Sequence, residues 1–352
     1  KRKVSKKNNY KNNKKSSKNK NKNKYNKQER NVNETNTIKN NNNIKQNEPY
    51  RFRFDHVLDY NVTQTEAFTI IGMPIVEQVK KGYNCTMFAY GQTGSGKSYS
   101  MFGPENYGTR FDQIGIIPRS IDYLFSLLKK DGDIMKFNVR ISIVEIYKEI
   151  LKDLLTDGSS NNKKLEVYVS GKELLIKNVI EKQCQNTKDA TQYIMQAMKN
   201  RHVTTTNFIG HDSSRSHCVV MLNIQQRLLD DTLKISKLNF GDLAGSEFAK
   251  KTGATGTTLT EAGKIHKGLL ALENVISSLV DKKKHIPYRD SILTKILSDS
   301  LGGNSKTTLL VTASPHVSSI NETLSTLRFA KRAKHIKNVA KINTKRTMKE
   351  LE

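Results

Sequence analysis

The sequence predicts an α/β fold in which a central sheet, mostly parallel or mixed, is layered by helices on both faces. Apolar runs typical of strands alternate with segments of helical periodicity from about residue 50 to residue 336. A phosphate-binding loop follows one of these runs. The chain has 352 residues, of which 36% are hydrophobic, which is enough for one globular domain with a real core.

The predicted elements follow the hydrophobic pattern in chain order. Strands are expected where residues alternate or where apolar and β-branched residues run together: 51–55, 86–90, 139–146, 218–224, 235–240 and 308–313. Helices are expected where apolar residues recur every three or four positions: 118–128, 186–201, 260–280, 288–301 and 322–336. An earlier helix is expected to end at Gly82 and to place four apolar residues on one face: Phe68, Ile71, Ile75 and Val79.

Residues 1–49 differ in composition from everything that follows. They contain 16 Lys and Arg against three Glu, are rich in Asn, and show no hydrophobic period. Such a segment buries too little apolar surface to offset its ordering entropy, so we predict that it is disordered. It is either a passive insertion or an electrostatic tether to an acidic partner. We predict one domain over 50–337, followed by a short exit segment over 338–352.

The formal charge of +27 indicates an anionic partner but does not identify its class. A basic surface suits nucleic acid, an anionic membrane or an acidic protein polymer. The basic run lacks interleaved aromatic residues and no nucleic-acid recognition motif is present, so a nucleic-acid binder is not expected. No stretch of about 18 apolar residues exists, so no membrane association is expected. The three cysteines lack metal-ligand spacing and indicate a reducing compartment.

The segment Gly91–Ser98 fits the pattern G-x-x-x-x-G-K-[ST]. Its glycines let successive backbone N–H groups turn inward and form an anion-binding nest. Lys97 adds a cation for the β- and γ-phosphates, and Ser98 offers a hydroxyl to Mg²⁺. The apolar run Thr86–Tyr90 precedes the loop, as a buried strand does in nucleotide-binding proteins.

Two further segments have the residue types of a nucleotide switch. The segment Asp242–Glu247, here called switch II, follows a predicted strand. Its Asp242 can hold Mg²⁺ through water, and Gly245 can bring a backbone N–H close to a γ-phosphate. The segment Ser213–His217, here called switch I, offers hydroxyls for a metal and an attacking water, with an arginine beside them.

Together these segments resemble the kinesin motor domain. The resemblance extends to further segments of the chain: V-E-I-Y at 144–147, D-L-L at 153–155, I-P-Y-R-D-S at 286–291, L-G-G-N at 301–304 and L-S-T-L-R-F-A at 324–330. It covers about residues 50–343. It implies a P-loop NTPase fold and ATP hydrolysis coupled to movement or force on microtubules, with ATP and Mg²⁺ as cofactors.

The resemblance implies roles for named residues. The nucleotide would be bound by the phosphate loop and by a ring against adenine: Gln92, Thr93, Gly94, Ser95, Gly96, Lys97, Ser98 and Tyr99. For Tyr99, simple packing is the alternative. Catalysis would involve Ser213, Ser214, Arg215, Gly245 and Glu247, with Arg215 paired to Glu247 and Glu247 relaying a proton from the attacking water. Mg²⁺ would be held by Ser98, Ser214 and, through water, Asp242.

The resemblance also implies a basic surface for the acidic outer face of tubulin. The residues expected there are Lys250, Lys251, Lys264, Lys267, Lys282, Lys283, Lys284, Arg289 and Lys295. Taken singly, each could be an ordinary solvated charge. As a group they predict salt-sensitive binding to microtubules, and hence a location in the cytoplasm on the cytoskeleton, including the spindle. Cargo and subfamily stay open, and so does the oligomeric state, for which a dimer through a coiled coil outside this chain is one option.

Beyond the last predicted helix, Lys337–Asn343 resembles the neck linker of kinesins with N-terminal motors. Asn343 matches the asparagine that latches the docked linker, and docking implies movement toward the plus end. An unstructured exit from the domain is the alternative for this segment. Two other functions remain in view: a depolymerase that regulates microtubule ends, and a non-hydrolysing scaffold on microtubules.

The sequence departs from the family pattern in several places. The family's first strand, with its R-x-R-P element, has no counterpart, so an inner position of the sheet is expected to be empty. Gly210 stands where the family has asparagine and the stretch 207–213 is one residue longer, so a looser switch I is expected. Gly241 replaces valine and adds backbone freedom before switch II. Glu273 replaces glycine on the helix that is expected to face tubulin, where it would either weaken binding or face solvent.

Overall fold

The computed structural model of the chain describes residues 50–104, 111–157, 164–170, 173–207, 213–247 and 257–345. For Phe111, 169–170, Glu173, 202–207, Ser213 and 257–265, the description is of the backbone alone. The Lys- and Asn-rich segment 1–49 lies outside the described residues, as do Lys250, Lys251 and Gly210. Within the described part of the chain, no helix has the length and apolar character needed to cross a membrane.

The strands form one large sheet and one small hairpin. The strands are β1 Cys85–Tyr90, β2 Ile134–Tyr147, β3 Ile150–Asp153, β4 Glu166–Ser170, β5 Glu173–Lys177, β6 Lys182–Cys184, β7 His217–Leu228, β8 Leu233–Asp242, β9 Lys306–Val311 and β10 Thr344–Lys345. The large sheet runs in the order β3-β2-β7-β8-β1-β9, with β6 paired to β2 and β10 paired to β8. Strand β1 is parallel to both β8 and β9, whereas the other pairs are antiparallel. The prediction of a mixed sheet is therefore confirmed.

The helices cover both faces of this sheet, as predicted. They are α1 Gln64–Ala67, α2 Met73–Lys80, α3 Lys97–Met101, α4 Ile116–Lys130, α5 Thr187–Asn207, α6 Thr257–Val280, α7 Ile292–Ile296 and α8 Ile320–Ala333, and a π-helical turn, Phe68–Gly72, joins α1 to α2. Neighbouring residues of β1 point to opposite faces, so Met87 packs in the core with α2, α4 and α5, and Phe88 packs in the core with α6, α7 and α8.

Two predicted elements are wrong. Residues 51–55 alternate in sequence but form no strand, and their Phe52 and Phe54 are only half-buried. The helix predicted over 288–301 is broken into α7 and two 3₁₀ turns, Tyr288–Asp290 and Ser298–Ser300. Ser291 is extended at φ −144° and ψ 160°, and its hydroxyl accepts from the N–H of Thr294. This N-cap starts a new helix at Ile292 instead of continuing the previous turn.

The expectation of an empty inner position in the sheet is also wrong. Strand β9 lies next to β1, in register from Cys85–Lys306 to Tyr90–Val311, and the path of strands has no gap. Within the described residues, β9 ends the path, and Thr307–Val311 are only half-buried although largely apolar. A further strand beside β9 would therefore extend the sheet at its edge.

The chain after α8 returns to the sheet as an extended segment. Strand β1 pairs with residues 238–242 of β8 and leaves the beginning of β8 open. Thr344 and Lys345 fill this edge by pairing with Lys234 and Leu233, and the N–H of Ile235 donates to the carbonyl of Asn343 at 2.9 Å. The end of the segment that resembles a neck linker thus lies along the beginning of β8.

Candidate nucleotide and switch site

The phosphate loop connects β1 to α3 at the carboxyl end of the sheet. Gly96 precedes the helix at φ +99°, a left-handed conformation that suits glycine. The hydroxyl of Ser95 donates to the carbonyl of Gln92 at 2.7 Å and lies 2.6 Å from Thr312 Oγ1. These contacts hold the loop against the residue that follows β9, and a Cβ at Gly94 or Gly96 would meet nothing within 4 Å. An open loop before a helix N-terminus is suited to bind an anion, and the nest of N–H groups stays a prediction.

Lys97 is the buried cation of this loop. Its side chain is 5% exposed, and Nζ donates to the carbonyl of Gln92 at 2.9 Å. Burial lowers the pKa of Lys97, whereas Asp242 and Glu247 act in the opposite direction. A buried ammonium beside an open loop is suited to bind an anionic ligand.

Ser98 and Asp242 join the phosphate loop to switch II. Asp242 ends β8 opposite Ala89 of β1, so its side chain reaches the first turn of α3. The hydroxyl of Ser98 donates to Oδ2 of Asp242 at 2.7 Å. Oδ1 of Asp242 is buried and has no hydrogen-bond partner among the residues that the structure describes. An unsatisfied carboxylate oxygen beside a hydroxyl is a fitting pair for Mg²⁺ and its water shell.

Arg201 is a site residue that the sequence analysis missed. It lies on α5, is 4% exposed, and places Nη1 3.1 Å from Oδ2 of Asp242 and Nε 3.8 Å from Oε1 of Glu145. Its Nη2 donates to the carbonyl of Ser216 at 3.1 Å. The guanidinium therefore connects switch I, switch II and β2. A single arginine among the polar residues of a helix has no sequence signal that distinguishes it from a surface charge.

The sheet register explains why one arginine reaches two carboxylates. Glu145, Cys218 and Asp242 are direct cross-strand neighbours on β2, β7 and β8, and they share one face of the sheet. Arg201 covers this row. Burial raises the pKa of the Cys218 thiol to about 12, so Cys218 is an inert part of the row and not a nucleophile.

The backbone of switch II lies against the phosphate loop. Ser246 N–H donates to the carbonyl of Gly91 at 3.0 Å, and Gly245 N–H donates to the carbonyl of Ser214 at 2.8 Å. A Cβ at Gly245 would overlap the Thr93 hydroxyl and the Glu247 carboxylate, so a larger residue here would displace these two side chains. Switch II therefore contacts the phosphate loop on one side and switch I on the other.

Glu247 accepts hydrogen bonds from Thr93 in this structure. The Thr93 N–H donates to one carboxylate oxygen at 2.8 Å, and the Thr93 hydroxyl donates to the other. The predicted partner Arg215 is half-buried in the 3₁₀ turn that carries the backbone of Ser213 and Ser214. The structure thus brings Glu247 to the phosphate loop, and its pairing with Arg215 stays a prediction.

His217 closes switch I and is buried beneath switch II. Its Nδ1 accepts from the backbone N–H of Ala244 at 3.0 Å. Burial, with Arg201 and Lys97 nearby, lowers the pKa of His217 to about 3. The ring is therefore neutral, and because Nδ1 accepts, the ring proton is on Nε2.

Tyr99 and the predicted microtubule-binding cations differ in how far their side chains are exposed. Tyr99 is 46% exposed on α3, so its ring is free to meet a ligand. Several cations are exposed on α6 or on the segment that follows it: Lys267, Lys282, Lys283, Lys284 and Arg289. Lys295 on α7 is half-buried, and the side chain of Lys264 lies outside the description. Their role in binding stays a prediction.

The replaced residues Gly241 and Glu273 occupy inward positions. Gly241 pairs with Phe88 across β1 and β8, and a Cβ there would lie 3.1 Å from Phe88 Cβ. Glu273 is half-buried on the inner side of α6 beside Tyr90, whose ring stacks on Phe329 at 3.8 Å. Burial raises the pKa of Tyr90, and Glu273 raises it further. Glu273 therefore faces the interior and not a partner on the outer side of α6.

The chain is similar to known proteins in its family profile, in its sequence and in its structure. The profile of the kinesin motor domain matches residues 7–336. The chain is 43% identical over 305 residues to kinesin-related protein 3 of Dictyostelium discoideum, covering 86% of this chain and 25% of that protein. It is 44% identical over 303 residues to the kinesin heavy chain of Syncephalastrum racemosum, covering 86% of this chain and 32% of that protein. The chain thus spans a third or less of these two relatives.

A solved structure has the same fold. It is described as the structure of a fast kinesin, with implications for ATPase mechanism and interactions with microtubules. The TM-score is 0.77 at 42% sequence identity, and the match covers 86% of this chain and 84% of the other. The phosphate loop and the two switch segments lie within the region that these comparisons match.

Proposed function

Because this chain belongs to the kinesin motor domain family, we propose that it hydrolyses ATP with Mg²⁺ and uses the cycle to move toward the plus ends of microtubules. Members of the kinesin motor domain family are nucleotide-binding motor domains associated with microtubules. Homologues in the family are microtubule-stimulated ATPases. The observation that carries the proposal is the position of switch II, which bonds to the phosphate loop through Ser98–Asp242 at 2.7 Å and to switch I through Gly245–Ser214 at 2.8 Å.

The site has the parts that phosphoryl transfer requires. The loop amides and Lys97 would bind the phosphates, and Tyr99 would lie against adenine. Ser98 and Ser214 would hold Mg²⁺ directly and Asp242 through water, and the ion would neutralise charge on the phosphates. Ser213, Ser214, Arg215 and Glu247 would position the attacking water, with Glu247 taking its proton. Such a reaction depends mostly on positioning and charge stabilisation.

The docked exit segment supports walking over the two alternatives. Asn343 Nδ2 donates to the carbonyl of Gly82 and to Oδ1 of Asn84, both at 3.2 Å, and Asn304 Nδ2 donates to Oδ1 of Asn343 at 2.9 Å. Asn338 Oδ1 accepts from the N–H of Gly302 at 2.7 Å. A segment held at two points along its length is suited to alternate between bound and released positions, as a stepping motor requires.

The proposed partner surface is basic. Its exposed members are Lys267 on α6, the run Lys282–Lys284 that follows α6, and Arg289, and the half-buried Lys295 lies on α7. The proposal also includes Lys250, Lys251 and Lys264, whose side chains lie outside the description. The run is 58% exposed at Lys283, whose Nζ lies 3.8 Å from Asp281. Charges this exposed contribute to binding mainly through long-range attraction, so we expect affinity for microtubules to fall with added salt.

One assay tests the proposal. ATP turnover is measured with and without taxol-stabilised microtubules, and filament gliding is then recorded on a surface coated with the protein. We expect stimulation by microtubules and gliding with minus ends leading. Filament shortening without gliding would support a depolymerase. Microtubule binding without turnover would support a scaffold, and either outcome would refute the motor.

A matched control separates turnover from movement. In the Asn343→Ala variant the phosphate loop and switches are unchanged, so stimulated turnover should persist while gliding slows. In the Lys97→Met variant the buried cation is lost, so turnover and gliding should both be lost.

A further inference from the structure

A buried histidine connects switch II to the helices on the proposed microtubule side. His217 is 3% exposed, and its Nδ1 accepts from the N–H of Ala244, the residue before Gly245. The proton of the neutral ring is on Nε2, which points toward α6. Any displacement of Gly245 by a nucleotide therefore changes the geometry of a hydrogen bond to this ring.

The residue of α6 next to the His217 ring is a glycine, Gly268. Gly268 is buried, and a Cβ there would lie 3.3 Å from Nε2 of His217 and 3.5 Å from Oε1 of Glu149. Glycine inside a helix costs about 1 kcal/mol relative to alanine. The bare Cα allows the imidazole and the carboxylate to approach the same point on α6. Lys267, an exposed cation of the proposed partner surface, is the adjacent residue.

Glu149 carries the connection onward to α7. Its other oxygen, Oε2, accepts from the N–H of Ile292, the first residue of α7, at 2.9 Å. Glu149 lies in the tight turn between β2 and β3, where Lys148 and Glu149 have φ of +52° and +61°. For residues other than glycine such conformations cost on the order of 1 kcal/mol each. The strained turn aims the carboxylate between α6 and α7.

We propose that His217, Gly268 and Glu149 form a polar relay through which the position of switch II sets the position of α6 and α7. In this relay Glu149 is a positioning residue: Oε1 and Nε2 of His217 both lie beside Gly268, and Oε2 holds α7. The inference rests on the proposed function in that α6 and α7 carry Lys267 and Lys295. The relay itself requires only that nucleotide moves switch II.

Three substitutions separate the relay from simple support of the fold. In Glu149→Gln, the amide oxygen can still accept from Ile292 N–H, but the amide NH₂ then faces the Nε2–H of His217, donor against donor. Gly268→Ala inserts a methyl between the two groups, 3.3 Å from Nε2 of His217. The gain in helix propensity opposes this crowding, and urea unfolding measures the net change in stability. Glu149→Ala removes both contacts. Gly132→Ala is the control, because a Cβ at residue 132 meets nothing within 4 Å.

The experiment is hydrogen–deuterium exchange of residues 288–297 without microtubules, in ADP and in a non-hydrolysable ATP analogue. The wild type and Gly132→Ala should show a difference between the two nucleotides. In Glu149→Gln and Gly268→Ala this difference should be lost while exchange in ADP stays at the wild-type level. Glu149→Ala should exchange faster in both nucleotides. A wild type without a difference, or variants that keep it, would overturn the relay.

Turnover assays then measure the effect on function. Turnover without microtubules should stay within about twofold of wild type in Glu149→Gln and Gly268→Ala. The ratio of microtubule affinities between the ATP-analogue and ADP states should fall about five- to tenfold, within the usual range of coupling between sites. Equal ratios in the wild type and both variants would also contradict the relay. If neither the wild type nor the variants bind microtubules, the proposed function is refuted. The exchange experiment, which uses no microtubules, still tests the relay.

Discussion

The guanidinium of Arg201 lies 3.1 Å from Oδ2 of Asp242, an oxygen that also accepts from the hydroxyl of Ser98 at 2.7 Å. Arg201 and Asp242 are 4% and 1% exposed. Arg201 belongs to α5, the helix that precedes switch I in the chain, and Asp242 begins switch II. The ion pair, with the bond from Arg201 Nη2 to the carbonyl of Ser216, thus connects the two switch segments, and Asp242 connects them to the phosphate loop.

Removing Arg201 should destabilise the whole domain. Arg201→Met leaves the carboxylate of Asp242 buried without its cation, and breaking such a pair costs about 3–5 kcal/mol. We expect the free energy of unfolding in urea to fall by this amount. The double variant with Asp242→Asn should recover part of the loss, because the uncompensated charge is gone. Wild-type stability in Arg201→Met would show that the pair contributes nothing.

Glu247 should affect turnover and not nucleotide binding. Glu247→Gln keeps an acceptor for the N–H of Thr93 but removes the base, and loss of a general base costs about 10²–10⁴-fold in rate. We expect stimulated turnover to fall in this range while the affinity for a fluorescent nucleotide stays the same. The control is Glu181→Gln, which loses only an exposed ion pair to Arg140 at 3.4 Å. Unchanged turnover in Glu247→Gln would rule out the proton relay.

His217 should make the fold sensitive to acid. The pKa of His217 is about 3 in the folded protein, whereas its ordinary value is 6.5. Between pH 6.5 and pH 3 the ring is therefore protonated in the unfolded chain and neutral in the folded chain. Stability is therefore complete above pH 6.5 and is lost as pH falls toward 3. Between pH 7 and pH 5 the loss attributable to this group is about 2 kcal/mol.

The measurement compares urea unfolding of the wild type with that of His217→Asn, whose amide oxygen can accept from Ala244. The variant should be less stable at pH 7, and its deficit should shrink by the stated amount at pH 5. A deficit that is the same at both pH values would mean that the wild-type ring is not held neutral.

The docked segment should depend on Asn343. Asn343→Ala removes the side-chain hydrogen bonds to Gly82 and Asn84 and the acceptor of the hydrogen bond from Asn304. Each lost hydrogen bond should weaken docking by about 0.5–1.5 kcal/mol. We expect a fluorescent label on the segment to report a larger released fraction, and gliding to slow more than turnover. Lys345→Ala, at an exposed position, is the control. Equal release in both variants would argue that backbone pairing with β8 alone holds the segment.

Much of the site could be predicted from local sequence because its chemistry is local. The loop at 91–98 and the switches carry their residue types side by side, so spacing alone indicated a phosphate site. The connections between them could not be predicted in this way. Arg201 meets Asp242 across 41 residues, and only the register of β2, β7 and β8 reveals the row that it covers.

Errors in the predicted elements have physical causes of the same kind. Apolar periodicity over 288–301 looks continuous, but the side chain of Ser291 satisfies the N–H of Thr294 and starts a new helix. Glu273 looks like a surface charge by its residue type, yet the packing of α6 on β1 turns it toward Tyr90. Local patterns carry no information about which face a neighbouring element will cover.

The amino-acid sequence by itself determined the fold class, the phosphate loop, the two switches and the family, because each rests on residues that are close in the chain. Only the tertiary structure decided that Arg201 bridges two carboxylates, that Glu247 contacts Thr93, and that His217 and Glu149 converge at Gly268. These contacts join distant segments, and their geometry depends on strand register and helix packing, which exist only once the chain has folded.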